Sequence, residues 1–157
     1  MRKVLGILVF ILLCELAGIV GSFFTRPSIP GWYAGLVKPL FNPPNWIFGP
    51  VWTTLYVLMG LAAYLVYEKG LRRNDVRKAL AVFGGQLVLN ALWSIVFFGA
   101  HQILGAAVLI VVLWAMILAT ILLFSRISKA AAYLLIPYIL WVSFATVLNI
   151  SLYVLNR

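Results

Sequence analysis

Ile103–Arg126 reads ILGAAVLIVVLWAMILATILLFSR, a stretch that meets no charged side chain until its last residue. A bilayer hydrocarbon core about 30 Å thick is crossed by around 20 apolar residues in helix. In lipid an isolated segment can satisfy its own backbone only as a helix, and this run is far too continuously apolar for a lumen-lining strand. Four more stretches of this kind flank it, giving expected spans at roughly 4–25, 46–67, 79–99, 103–125 and 132–155. The expected fold is therefore an all-α membrane protein, a bundle of five transmembrane helices.

Composition points the same way. Of 157 residues, 65% are hydrophobic and 10% charged, and the mean hydropathy is +1.11. A soluble domain carries roughly 25% charged residues, because water must wet its surface. The length fits one domain, residues 1–157, with no room for a separate globular enzyme beside the bundle. The net charge of +9 does not indicate nucleic acid, because the cations sit at the ends of the apolar stretches, where they meet headgroups and orient the chain. Cys14 is the single cysteine, so no intramolecular disulfide is possible. Arg2 and Lys3 followed by Val4–Leu13 imitate a signal peptide. The apolar run continues to Phe24 without a small-x-small site, so an uncleaved first helix is expected.

The connections are unequal. Residues 26–45 carry Pro27, Pro30, Pro39, Pro43 and Pro44, a density that excludes regular helix and predicts an ordered cap over one end of the bundle. Glu68–Lys78 reads as a short basic loop, and Ala100–Ile103 as a tight hairpin. Pro137 falls near the start of the last span, where a helix tolerates it. Orientation follows from cations. Arg2, Lys3, Lys69, Arg72, Arg73, Arg77, Lys78, Arg126 and Lys129 lie on one side, against Arg26, Lys38 and Arg157 on the other. In a plasma or inner membrane, that asymmetry puts the N-terminus in the cytoplasm and the proline-rich loop outside.

Chemistry-bearing side chains are few. No His or Cys cluster has metal-ligand spacing and no Gly-rich phosphate loop follows a strand, so no metal and no permanently bound cofactor is expected. Glu15 is the only acid at membrane depth, and reads either as a hydrogen-bonding group between helices or as a proton-relay site. His101, the only histidine, lies in the tight third loop and lacks a second axial partner for a haem. The aromatics say more. Trp32, Tyr33, Tyr64, Tyr67 and Tyr153 suit an interfacial belt. Others share helical faces with polar or small residues: Trp52, Tyr56, Met59 and Ala63 on the second span; Asn90, Trp93, Ser94 and Phe97 on the third; Trp141, Ala145, Leu148 and Asn149 on the fifth. Amides facing lipid are costly, which turns Asn90 and Asn149 inward. Two readings stand on this pattern: a pocket for a flat apolar ligand, or ordinary helix packing glued by Asn and Ser.

The ordered residues Gly31-Trp32-Tyr33, Lys38-Pro39, Pro43-Pro44, Pro50-Val51-Trp52 and Leu55-Tyr56 resemble the TspO/MBR family of tryptophan-rich sensory proteins and translocator proteins. Gln86-Leu87, Leu89-Asn90, Leu92-Trp93-Ser94 and Phe97-Phe98 continue the resemblance, and Pro137-Tyr138, Leu140-Trp141, Phe144-Ala145-Thr146 and Leu148-Asn149 close it. The resemblance implies a five-helix bundle whose first loop, with Trp32, Tyr33, Lys38, Pro39, Pro43 and Pro44, closes as a lid over a ligand pocket. It implies Tyr33, Trp52, Tyr56, Asn90, Trp93, Ser94, Phe97, Trp141, Ala145 and Leu148 as pocket residues. The implied ligands are porphyrins and haem-type tetrapyrroles, benzodiazepine-type drugs and cholesterol. The implied roles are receptor or sensor, with a light- and oxygen-dependent porphyrin-degrading enzyme or a porphyrin or sterol transporter as alternatives; Trp52 and Trp141 would serve degradation. This chain departs from many members in having Phe41 where they carry a tryptophan, which removes one oxidisable ring near the lid. Leu148, Tyr153 and Arg157 trace a sterol-type pattern, which an interfacial tyrosine before a terminal arginine also explains. Homodimerisation is implied as well. Ala81, Gly84 and Gly85 on the third span would let two helices approach closely, as would Ala17 and Gly21 on the first.

Overall fold

The computed structural model describes residues 2–157; Met1 lies outside the described residues. Its helices are α1 (Arg2–Ser28), α2 (Asn45–Tyr67), α3 (Asn74–Ser94), α4 (Ile103–Ile127), α5 (Lys129–Leu134) and α6 (Ile136–Leu155). Five helical stretches are long and apolar enough to cross a membrane, with α5 and α6 sharing the last. Among the described residues there is no β-strand.

The boundaries differ from the sequence expectation in three informative places. Helix α1 runs through Pro27 to Ser28, so the proline-rich segment starts later than its first proline. Proline there removes the N–H that would reach the carbonyl four residues back and crowds that carbonyl, and the helix ends one residue later. The loop between α2 and α3 ends at Arg73, so Asp75, Arg77 and Lys78 are helical. Hydropathy marks where lipid stops, whereas the helix carries on beyond it. Asp75 in the first turn complements the positive end of the helix and pairs with Arg73 at 2.6 Å. The last span is broken: α5 ends at Leu134 and α6 restarts at Ile136, with Pro137 in its first turn. Ser128 caps α5 by accepting a hydrogen bond from the Ala131 amide at 3.3 Å.

Helices α1 and α2 lock together at the N-terminal end of α1. A Cβ built on Gly60 would stand 2.5 Å from the Ile11 Cα, and one on Gly6 would stand 2.6 Å from the Tyr64 ring. Only glycine permits that approach. Lys3 Nζ lies 2.8 Å from Glu68 Oε1 at the same end. That hydrogen bond holds the Glu68 carboxyl below its ordinary value, and the pair's exposure limits what it contributes. Tyr64 is thus buried between helices and does not belong to an interfacial belt, and Tyr33 is buried too.

The small residues proposed for subunit contact divide. Gly85 faces Met116 of α4, and Gly21 faces Ser94 of α3, so both serve packing within the subunit. Ala81 is exposed, and a Cβ on Gly84 would meet nothing within 4 Å.

Candidate functional site

The polar groups of the bundle interior form two short chains. Tyr56 Oη donates to Asn90 Oδ1 at 2.6 Å, Asn90 Nδ2 donates to Tyr138 Oη at 3.0 Å, and Tyr138 Oη donates to Gln86 Oε1 at 2.7 Å. Trp93 Nε1 donates to Asn149 Oδ1 at 3.0 Å, and Asn149 Nδ2 donates to the Ile103 carbonyl at 3.1 Å. Asn90 and Asn149 are buried, as their sequence context required, and each spends its oxygen and its nitrogen on neighbouring helices. In hydrocarbon such an amide has no water to fall back on, which makes these bonds structural.

Around these chains lies a cavity of 490 Å³. The residues that the resemblance implied for a pocket line it: Tyr33 from the loop, Trp52 and Tyr56 from α2, Asn90, Trp93, Ser94 and Phe97 along α3 and the turn beyond, and Trp141, Ala145 and Leu148 from α6. Met59 and Ala63, which continue the α2 face, are fully buried in the packed core below it. The walls are largely aromatic. Trp52 stacks on Tyr56 with centroids 5.6 Å apart, Trp93 stacks on Phe97 at 5.1 Å, and Phe48 stands edge-on to Trp141 at 5.9 Å. A cavity of this size and lining suits a flat apolar molecule.

One polar atom of the lining residues is unsatisfied. Trp141 Nε1 is buried with no hydrogen-bond partner among the described residues. A buried N–H without an acceptor costs about 1–3 kcal/mol. Its indole sits between Phe48 and Phe144, whose rings are weak acceptors at best.

The loop end of the cavity is tied down. Helix α3 finishes in a π-helical turn, Ile95–Gly99, and the Ser28 hydroxyl at the end of α1 donates to the Phe98 carbonyl there at 2.6 Å. Residues 33–35 make one 3₁₀ turn, which holds the Tyr33 ring inward with its hydroxyl donating to Asn42 Oδ1 at 3.0 Å. Burial raises the Tyr33 pKa, and the bond to Asn42 opposes that rise. Lys38 Nζ stands 4.7 Å over the Tyr33 ring and donates to the Leu36 carbonyl at 3.1 Å. Trp32 stacks on His101 at 4.3 Å. His101 holds a left-handed backbone with φ 56°, as the tight hairpin demands. Of the loop residues named from sequence, only Tyr33 lines the cavity; Trp32, Lys38, Pro39, Pro43 and Pro44 do not.

Two contributors lacked a sequence signal that aromatic faces could reveal. Helix α1 supplies Glu15, Gly18, Ile19 and Ser22 to the lining, and Asn156 fastens the loop. The Asn156 side chain accepts from the Val37 amide and donates to the Val37 carbonyl, both at 2.9 Å, so it mimics a strand partner across 119 residues. Glu15 belongs to neither ion pair of the described residues and faces the cavity. The sterol-type pattern does not form one surface: Leu148 turns into the cavity, Tyr153 is half-exposed, and Arg157 follows the helix end.

Comparison with known proteins agrees with the architecture. The chain is 44% identical over 155 residues to the Tryptophan-rich protein TspO of Chlorobaculum tepidum, covering 99% of this chain and 98% of that one. It is 46% identical over 154 residues to the Tryptophan-rich protein TspO of Archaeoglobus fulgidus, with 98% and 99% covered. It is 42% identical over 141 residues to the human Translocator protein, with 89% and 83% covered. Residues 10–155 match the family model as a whole, and this five-span membrane protein belongs to the TspO/MBR family.

Proposed function

We propose that the chain is a membrane receptor or sensor that holds a tetrapyrrole, such as protoporphyrin IX, in the cavity between its helices. The observation that carries this reading is the 490 Å³ cavity walled by Trp52, Trp93 and Trp141. A flat macrocycle offers broad faces for stacking and ring nitrogens or carboxylates as acceptors. Benzodiazepine-type drugs and sterols, the other ligands that the resemblance implies, offer smaller planar faces for stacking. In this reading the loop over Tyr33 is the lid, and for a plasma or inner membrane the cation asymmetry supports a cytoplasmic N-terminal end.

The test is saturable quenching of tryptophan emission by protoporphyrin IX in purified protein. Trp52→Phe and Trp141→Phe are expected to weaken binding about tenfold each, through the loss of stacking area. Unaltered quenching in both variants would overturn the assignment.

Degradation of the bound porphyrin in light and oxygen is the second reading, favoured by two oxidisable indoles, Trp52 and Trp141, that both line the cavity. It requires a new absorbing product over many turnovers that disappears in Trp141→Phe. Bleaching of one porphyrin per protein would rule the enzyme out.

A further inference from the structure

Several lining residues of the cavity lie on the outer surface. Trp46 is 73% exposed and Ile19 is 48% exposed, and both line the cavity. On α2 the exposed lining residues are Asn45, Trp46, Gly49 and Thr53, which share one stripe at a helical repeat. Opposite them on α1 stand Gly18, Ile19 and Ser22. A residue that touches both the cavity and the outside marks an opening, and here the opening runs along the seam between α1 and α2.

The seam is asymmetric for a reason legible in its glycines. Toward the N-terminus of α1, Gly6 against Tyr64 and Gly60 against Ile11 bring the helices into contact. The last close contact is Gly18 against Tyr56. Beyond it, Gly49 has nothing within 4 Å of a built Cβ, so the helices have parted. The end of the bundle under the loop is the reverse case. There the Asn156–Val37 pair, the Ser28–Phe98 bond and the Trp32–His101 stack tie the loop to the helices.

From this we infer that the cavity opens sideways into the bilayer between the loop-proximal halves of α1 and α2, and that its ligand enters and leaves through this fissure from the hydrocarbon phase. The ligand class rests on the reading proposed above: a flat apolar molecule that is already concentrated in lipid. The fissure itself rests on the helix geometry alone.

Two variants narrow the fissure from opposite walls, Gly49→Phe and Ser22→Phe. Neither site is closely packed: Gly49 meets open space, and the Ser22 hydroxyl bonds only to its own helix at the Ile19 carbonyl. The measurement is stopped-flow quenching of tryptophan emission in nanodiscs by protoporphyrin IX delivered from phosphatidylcholine vesicles. Association and dissociation are expected to slow together by about tenfold, with Kd changed less than about twofold, because a gate raises the barrier and not the end states. Asn156→Ala, which loosens the loop, is expected to leave both rates unchanged. Unchanged rates in both narrowing variants would overturn the inference, as would acceleration by Asn156→Ala or a loss of affinity without slowing. Absence of saturable quenching in the unmodified protein would count against the ligand reading alone. The fissure is then judged in nanodiscs of brominated phosphatidylcholine, in a Trp46→Phe background that removes the most lipid-exposed indole of the fissure. Gly49→Phe is expected to reduce tryptophan quenching by the bromines there, and equal quenching with and without it would overturn the fissure.

Discussion

Asn90 illustrates how a residue can line a site and still owe its place to the fold. Its side chain receives the Tyr56 hydroxyl and donates to Tyr138, so Asn90→Ala strands the buried Tyr56 hydroxyl and takes one incoming bond from Tyr138, which keeps its own donation to Gln86. A stranded hydroxyl costs about 1–3 kcal/mol. Thermal unfolding in detergent is therefore expected to show Asn90→Ala as the more damaging change beside Trp52→Phe, and Tyr138→Phe to recover less than additively in the double variant. Equal stability of Asn90→Ala and the parent would mean that the amide serves the ligand only. Glycines give a second residue-scale contrast. Gly60→Ala pushes a methyl against the Ile11 backbone and is expected to lower stability by about 1–3 kcal/mol, as overpacking does. Gly84→Ala meets open space and is expected to be neutral or slightly stabilising in the same unfolding assay. Trp141, by contrast, could be placed on an inward face from its spacing, but no periodicity reports whether an indole N–H finds a partner.

At the scale of elements, the spans were legible because lipid imposes one demand along some 20 residues at a time. Helix ends were less so. Hydropathy stops α3 at the membrane boundary, while its Asn74–Lys78 turn continues in polar surroundings on the strength of Asp75 and Arg73. The part of the site on α2, α3 and α6 was readable because aromatic and amide residues repeat there with helical spacing. The part on α1 was not, because Gly18 and Ser22 act by being small, and smallness carries no signal of what it faces. Nor does a lone asparagine near the end of a chain announce a partner 119 residues away. The Asn156–Val37 pair predicts that the loop is held as an element and not by its prolines alone. Asn156→Ala should raise amide hydrogen exchange across residues 31–42 with exchange in α2 and α4 unchanged; even protection throughout would show that the loop needs no such fastening.

The whole molecule is a bundle whose least buried helix is α1, and whose outward faces are apolar because lipid covers them. That coverage leaves one question of assembly: where a second copy would sit. In lipid, apolar area gives helices no preference for one another over acyl chains, so close backbone approach decides the site. The α3 stripe of exposed Ala81 and Val88 with half-buried Gly84, whose Cβ position is open, offers that approach, whereas Gly85 is already occupied by Met116 and Gly21 by Ser94. If the chain forms a homodimer, as its family resemblance implies, Gly84→Leu is expected to shift it to monomer in nanodiscs or in detergent, read as a halved protein mass by light scattering. The fold should survive, since the new side chain projects from the surface, and porphyrin quenching should persist if the cavity belongs to one subunit. Gly85→Leu should do the opposite, lowering thermal stability through the clash with Met116. A Gly84→Leu protein that stays dimeric would move the interface to another face, and one that loses its cavity binding along with its partner would make the site a property of the pair.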